Sequence, residues 1–137
     1  MIAGFSASIS GLMAQSKRLA VSADNVANMR SRGLRVDGSS QGPQSAQPGA
    51  YQPKRVQEVT TPGGGVRAEV LPVTPASVEV YAPGSPEADA DGMTAVPNVD
   101  LAEELVTQIQ AQRAYEANAA ALRSQDELLD SLIDIKS

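Results

Sequence analysis

The chain has 137 residues, one domain's worth, a net charge of −5, and neither His nor Cys. Without those side chains it lacks the usual acid–base group near neutral pH, any thiol nucleophile and the common zinc and iron–sulfur ligands, so no catalytic residue, no metal site and no cofactor is expected. Only Phe5, Tyr51, Tyr81 and Tyr115 are aromatic, which limits any compact core, and the bias toward Ala, Ser, Gly, Pro and Gln predicts partial disorder in the free chain.

The first predicted element is a helix over about residues 2–29, roughly 40 Å long. Ile2, Phe5, Ile9, Leu12, Ser16, Leu19, Ala23 and Val26 alternate at spacings of three and four. Such a period keeps one stripe facing a partner helix. Gly4 and Gly11 weaken this helix, at about 1 kcal/mol each relative to Ala. Asn28 and Gly33 punctuate its end.

Residues 37–50 are small, polar and turn-prone and read as a mobile linker. Over residues 51–82 the pattern alternates. Val66, Ala68 and Val70 point one way and Arg67, Glu69 and Leu71 the other, while Val78 and Val80 flank Glu79. These are short strands, with Gly63-Gly64-Gly65 as a hairpin connection. Pro83 to Asn98 reads as a second non-regular stretch.

A second helix is expected from Leu101 to about Ile135, roughly 50 Å long. Asp100 caps it, and Glu103 stands where it can reach back to the cap's own N–H. Its seam runs Leu101, Leu105, Gln108 (with Ile109 beside it), Gln112, Tyr115, Ala119, Leu122, Asp126, Leu129 and Ile133. The polar interruptions Ser16, Gln108, Gln112 and Asp126 either fix register or are imperfections; at Gln108, Ile109 takes the place. The expected fold is mainly α: long N- and C-terminal helices pairing as a coiled coil around a small β-rich and loop middle. The division is 1–32, 33–99 and 100–137.

Charge follows this division. Residues 1–32 carry +3, residues 33–99 carry −3 and residues 100–137 carry −5. Either the first helix is drawn to the last, within one molecule or between neighbours, over distances short against a screening length of ~10 Å, or both are solvated faces. No basic stripe with interleaved aromatics exists, so nucleic acid is not an expected partner. No apolar run approaches the ~20 residues a membrane span needs. The stretch Met1-Ile2-Ala3-Gly4-Phe5-Ser6 has no basic region ahead of its apolar residues, unlike a cleaved secretory signal.

Three motifs have plain explanations. Glu87, Asp89, Asp91 and Gly92 match positions 1, 3, 5 and 6 of a calcium loop, but Asn98 stands at position 12 where a bidentate Glu is needed; the stretch reads as an acidic turn. The triple glycine lacks the Lys-Ser/Thr and helix of a phosphate loop. Asp126 and Asp130, one helical turn apart, read as a solvated face, since paired catalytic carboxylates need a cleft.

Longer motifs carry a resemblance. The run from Ser8 to Asn28, SISGLMAQSKRLAVSADNVAN, resembles the N-terminal signature of bacterial flagellar axial proteins, with Asn25 and Asn28 at its paired Asn positions. Pro97 to Glu104 and Ile109 to Asn118 are similar to the matching C-terminal signature. The stretch from Tyr81 to Gly92, with Tyr51 to Val56 and Gly64 to Ala68, is similar to the flagellar basal-body rod family, its proximal members in particular. After Asn28 the family usually has Thr and then a Gly-aromatic pair; this chain has Met29-Arg30-Ser31-Arg32-Gly33-Leu34. Met93 stands where an aromatic is frequent.

The resemblance implies a structural subunit and no enzyme. Its partners would be copies of itself and other rod or axial subunits, and the flagellar type III export apparatus, which accounts for the missing cleavable signal. Its place would be the basal-body rod crossing the periplasm. Assembly would proceed by terminal-helix packing into a torque-transmitting tube, through Ile2, Phe5, Ile9, Leu12, Leu19, Asn25, Val26 and Asn28 of the first helix, and Leu101, Leu105, Ile109, Tyr115, Asn118, Leu122, Leu129 and Ile133 of the second. The competing reading from the residues is a coiled-coil adaptor or export-linked scaffold forming a small closed oligomer. An adaptor needs one seam; a rod subunit needs both ends.

Overall fold

The computed structural model describes residues 2–33 and 50–136; the linker expected at 37–50 lies outside them except for Ala50. Helix α1 covers Ile2–Asn28 and helix α2 covers Leu101–Lys136. Between them come strands β1 (Lys54–Thr60), β2 (Val66–Pro72), β3 (Ser77–Tyr81) and β4 (Met93–Pro97). They form two antiparallel pairs, β1 with β2 and β3 with β4.

Helix α2 begins at Asp100, whose Oδ1 accepts the N–H groups of Ala102 at 2.7 Å and Glu103 at 3.2 Å. Two donors that a helix start leaves without partners are thereby satisfied. Glu103 and Glu104 add negative charge to the positive end of the helix. Helix α1 ends in a turn closed by Asn28, which receives the Ser31 N–H and hydroxyl on its carbonyl and donates its own amide to Asp24 O. Gly33 then bridges to Ala95 on β4.

The β1–β2 hairpin turns on Gly63, Gly64 and Gly65, whose φ angles of 103°, 95° and 88° lie where side chains are strained. It lies lengthwise along α1. The amide of Val66, opening β2, donates to Ser10 Oγ, and the backbone of Lys54, opening β1, bonds the Asn25 side chain. Fifteen helical residues, about 22 Å, are thus matched by a seven-residue strand of about 20 Å. On β2 the expected alternation holds only for Val66 to Ala68. Beyond that Glu69 is half-buried and Val70 exposed.

Strand β4 corrects the expectation that 83–98 is irregular. Its pattern is not alternating, since Thr94, Ala95 and Pro97 are all buried, and a strand covered on both faces gives no period of two. Strand β3, its partner, is exposed along its whole length.

The core is unusual in composition. The buried hydrophobic residues among those described are Ala14, Ala95 and Ala111, and buried beside them are Ser8, Gln15, Ser22, Asn25 and Thr94. The large aliphatic and aromatic side chains among those described are half-buried or exposed.

Candidate assembly interface

The two helices run antiparallel and meet through small and polar residues. Gly4 faces Gln125 and Gly11 faces Asn118, seven residues further along α1 and seven back along α2. Two heptads on, Asn25 Nδ2 donates to Glu104 Oε1 at 2.5 Å. Ser22 adds a hydroxyl bond to Glu104 O. The register is therefore constant over most of α1, with one layer per heptad.

Every one of these positions stands one residue before a member of the apolar seams. Gly4, Gly11, Ser22 and Asn25 precede Phe5, Leu12, Ala23 and Val26. Glu104, Asn118 and Gln125 precede Leu105, Ala119 and Asp126. One residue is about 100° round a helix, so the apolar stripes are turned away from the contact line. Met13 is 69 % exposed, Ile109 60 % and Ile133 67 %; Leu101, Leu105, Val106, Tyr115, Leu128, Leu129 and Leu132 are exposed as well. On α1, Phe5 and Leu19 are exposed, while Ile9, Leu12 and Val26 are half-buried. Leu122 is half-buried on α2. The side chain of Ile2 lies outside the described set.

Asn25 is the junction of the fold. It is 2 % exposed. Its amide nitrogen donates to Lys54 O at 2.7 Å and to Glu104, and its Oδ1 accepts Lys54 N at 3.0 Å and the Tyr51 hydroxyl at 3.1 Å. That uses both donors and both acceptor positions of a carboxamide. One side chain thus binds α1 to α2, to β1 and to the chain just before β1. Burial pushes the Tyr51 hydroxyl pKa up, and the negative charges of Asp24 and Glu104 push it the same way. Asn28, by contrast, serves the end of its own helix, and Asn118 also returns a bond to Ala114 O.

Gln15 is buried and donates to Glu58 on β1, which also pairs with Arg18 at 2.7 Å. Further ion pairs join Arg67 to Glu69 and Arg113 to Glu116. None of these three pairs joins α1 to α2, so the opposite charges of the two ends do not neutralise each other through them.

The acids of the 87–92 turn serve the turn. Asp89 Oδ1 accepts the N–H groups of Asp91 and Met93. The Ser85 hydroxyl donates to Glu87 at 2.6 Å and holds that carboxyl below the usual range. No described helix is long and apolar enough to cross a membrane.

Gly4, Gly11, Gln15, Ser22 and Glu104 are contact residues that the apolar pattern did not single out. A signal existed: glycines seven apart in the first helix and amides seven apart in the second.

Comparison with known proteins gives two family matches, one toward each end of the chain. Residues 5–30 match the family described as Flagella basal body rod protein, and residues 90–135 match Flagellar basal body rod FlgEFG protein C-terminal. The flagellar basal-body rod protein FlgC of Yersinia enterocolitica is 40 % identical over 126 residues, covering 88 % of this chain and 86 % of the relative. FlgC of Salmonella typhimurium is 38 % identical over 115 residues, or 84 % and 82 % of the two chains. FlgC of Agrobacterium fabrum is 36 % identical over 134 residues, or 92 % and 88 %. With relatives this similar along almost their whole length, the chain belongs to the family of structural flagellar basal-body rod proteins named FlgC.

Proposed function

We propose that this chain is a structural subunit of the flagellar basal-body rod, in its proximal part, and that it assembles with copies of itself and other axial subunits. The observation that supports this is the outward placement of the apolar stripes. Leu101, Leu105, Ile109, Tyr115, Leu129 and Ile133 on α2, and Phe5 and Leu19 on α1, are exposed in the single chain, and a contiguous apolar surface is a contact surface. Ile2, Ile9, Leu12, Val26 and Leu122 continue those stripes along the same helices. Burying each large side chain against a neighbour contributes about 1.5–3 kcal/mol.

In this reading the intrachain helix pair is one half of a larger bundle. Coiled-coil packing of the apolar seams is completed by neighbouring subunits, and open-ended contacts of this type build a tube. The tube crosses the periplasm and carries torque from motor to hook. Export through the flagellar type III apparatus without a cleaved signal suits a chain whose core has few large buried side chains.

The test is Leu105→Asp with Ile109→Asp, in a strain lacking its own copy. Both side chains are exposed, so the purified variant is expected to keep its helical circular dichroism. Basal bodies from the strain are expected to lack rods, and the cells to be non-motile. Normal rods and swimming would overturn the reading.

A further inference from the structure

The outward side of α2 changes along its length. Over about its first three turns, residues 101–112, it is built from Leu101, Leu105, Val106 and Ile109, all exposed. The charges of this stretch are Glu103 and Glu104, and Glu104 turns inward to Asn25. Further along, Arg113, Glu116, Arg123, Asp126, Glu127 and Asp130 are exposed, and covering that part takes charges out of water at a cost.

Helix α1 carries a second surface of the first kind. Phe5, Met13, Leu19, Ala20, Ala23 and Ala27 are exposed, and their spacing places them on one side of the helix. The described charges of α1 are Lys17, Arg18 and Asp24. Arg18 pairs with Glu58, while Lys17 and Asp24, one heptad apart, border the apolar side without interrupting it. Both surfaces lie off the line along which the chain's own helices meet, so neither has to be uncovered first.

Resting on the rod-subunit reading, we propose that the first turns of α2 pack against this outer side of α1 in a second copy of the chain. Two α2 starts repel each other, since each brings Asp100, Glu103 and Glu104 and no base through Gln112. Helix α1 and the turn after it hold the opposite balance. They carry Lys17, Arg18, Arg30 and Arg32 against Asp24. With Arg18 on Glu58 and Arg32 beside Glu87, Lys17 and Arg30 still outweigh Asp24. The pairing therefore buries apolar surface on both sides, takes no charge from the middle of either face, and sets an acidic margin beside a basic one. Because two different faces meet, the contact is heterologous and repeats from copy to copy.

A photo-cross-linking amino acid is placed at Val106, at Ile109 or at Arg123 of the full chain, expressed in a strain lacking its own copy. Cross-linked products from isolated basal bodies are sized and sequenced. All three side chains are exposed, so the variants are expected to fold. The expected product from Val106 or Ile109 has the mass of two copies and joins the probe to a peptide of α1, whereas Arg123 gives no link to α1. Links from Val106 and Ile109 only to α2 or to other proteins, or none from either, overturn the pairing and leave the rod reading intact. A link from Arg123 to α1 as strong as theirs overturns the restriction to the first turns. The cysteine-free chain gives a second measurement that needs no bulky probe. Met13→Cys and Ile109→Cys are expected to lose maleimide labelling on assembly while Arg123→Cys keeps it, and labelling of either of the first two at the free-chain rate overturns the pairing. Absence of the unaltered chain from basal bodies removes the rod reading, and the pairing with it.

Discussion

Asn118 fills the space that Gly11 leaves open: a Cβ on Gly11 would lie 2.7 Å from Asn118 Oδ1 and 2.9 Å from its Cγ. The amide therefore rests on the backbone of the facing helix, and the pair fixes where the helices stand along each other. Gly11→Ala removes a mid-helix glycine, a gain of about 1 kcal/mol, but overpacks the layer at a cost of about 1–3 kcal/mol. Net destabilisation in urea melts is expected. Asn118→Ala in the same chain should restore stability, with a coupling of about 0.5–3 kcal/mol; strict additivity would show that the layer does not set the register.

Removing the carboxamide at position 25 strands several groups at once. Asn25→Ala leaves the Lys54 backbone, the Tyr51 hydroxyl and Glu104 without this partner, and a loss of roughly 2–4 kcal/mol is expected from more than one buried polar group losing its bond. Asn25→Asp keeps the shape but puts a carboxylate against Glu104. Burial and that neighbour raise the new group's folded-state pKa above its unfolded value near 4. Its protonated form is the tolerated one, so the variant's deficit should shrink below about pH 4 and grow as pH rises. A deficit independent of pH would mean that the two side chains do not interact.

Tyr51 gives a pH dependence at the other end of the scale. Its folded-state pKa is raised from 10.0 by burial, then by Asp24 and Glu104. The folded chain therefore holds the proton more tightly than the unfolded chain. The associated stability is complete below about pH 10 and is lost as pH climbs through the raised value. Tyr51→Phe should cost about 1 kcal/mol at neutral pH through the lost bond to Asn25. It should also flatten the fall in stability above pH 10. An unchanged slope in alkaline urea melts would assign that slope to other tyrosines.

The hairpin tip offers a test of backbone alone. A Cβ at Gly64 meets nothing within 4 Å, yet φ there is +95°. Gly64→Ala should cost about 1–2 kcal/mol from conformation only, and hydrogen exchange should be fastest near Thr61 and Gly65. An equally stable variant would show that the turn accepts another geometry.

These residues also show what could be read from the sequence and what could not. The helices, the glycine turn, the β1–β2 strands and the Asp100 position follow from local rules: period, left-handed φ and side-chain capping. The contact line between the helices does not. A stripe of glycines, serines and amides has the same period as the apolar stripe beside it, and periodicity cannot say which stripe meets the chain's own helix. Asn25 could be noticed, but its four partners come from positions 51, 54 and 104, and no local pattern joins those. Strand β4 escaped for a related reason. Thr94 and Ala95 are buried in succession, which erases the period of two, and the strand's bridge to Gly33 joins positions far apart in the chain.

A core of alanines and hydrogen-bonded polar groups has a calorimetric consequence. The heat-capacity increment of unfolding comes mainly from apolar surface newly exposed to water. Here much of that surface is already wet in the single chain. The increment of the isolated subunit should fall below the ~1.2–1.5 kcal/mol/K per 100 residues usual for globular domains. The missing part should reappear as a negative heat capacity when subunits join.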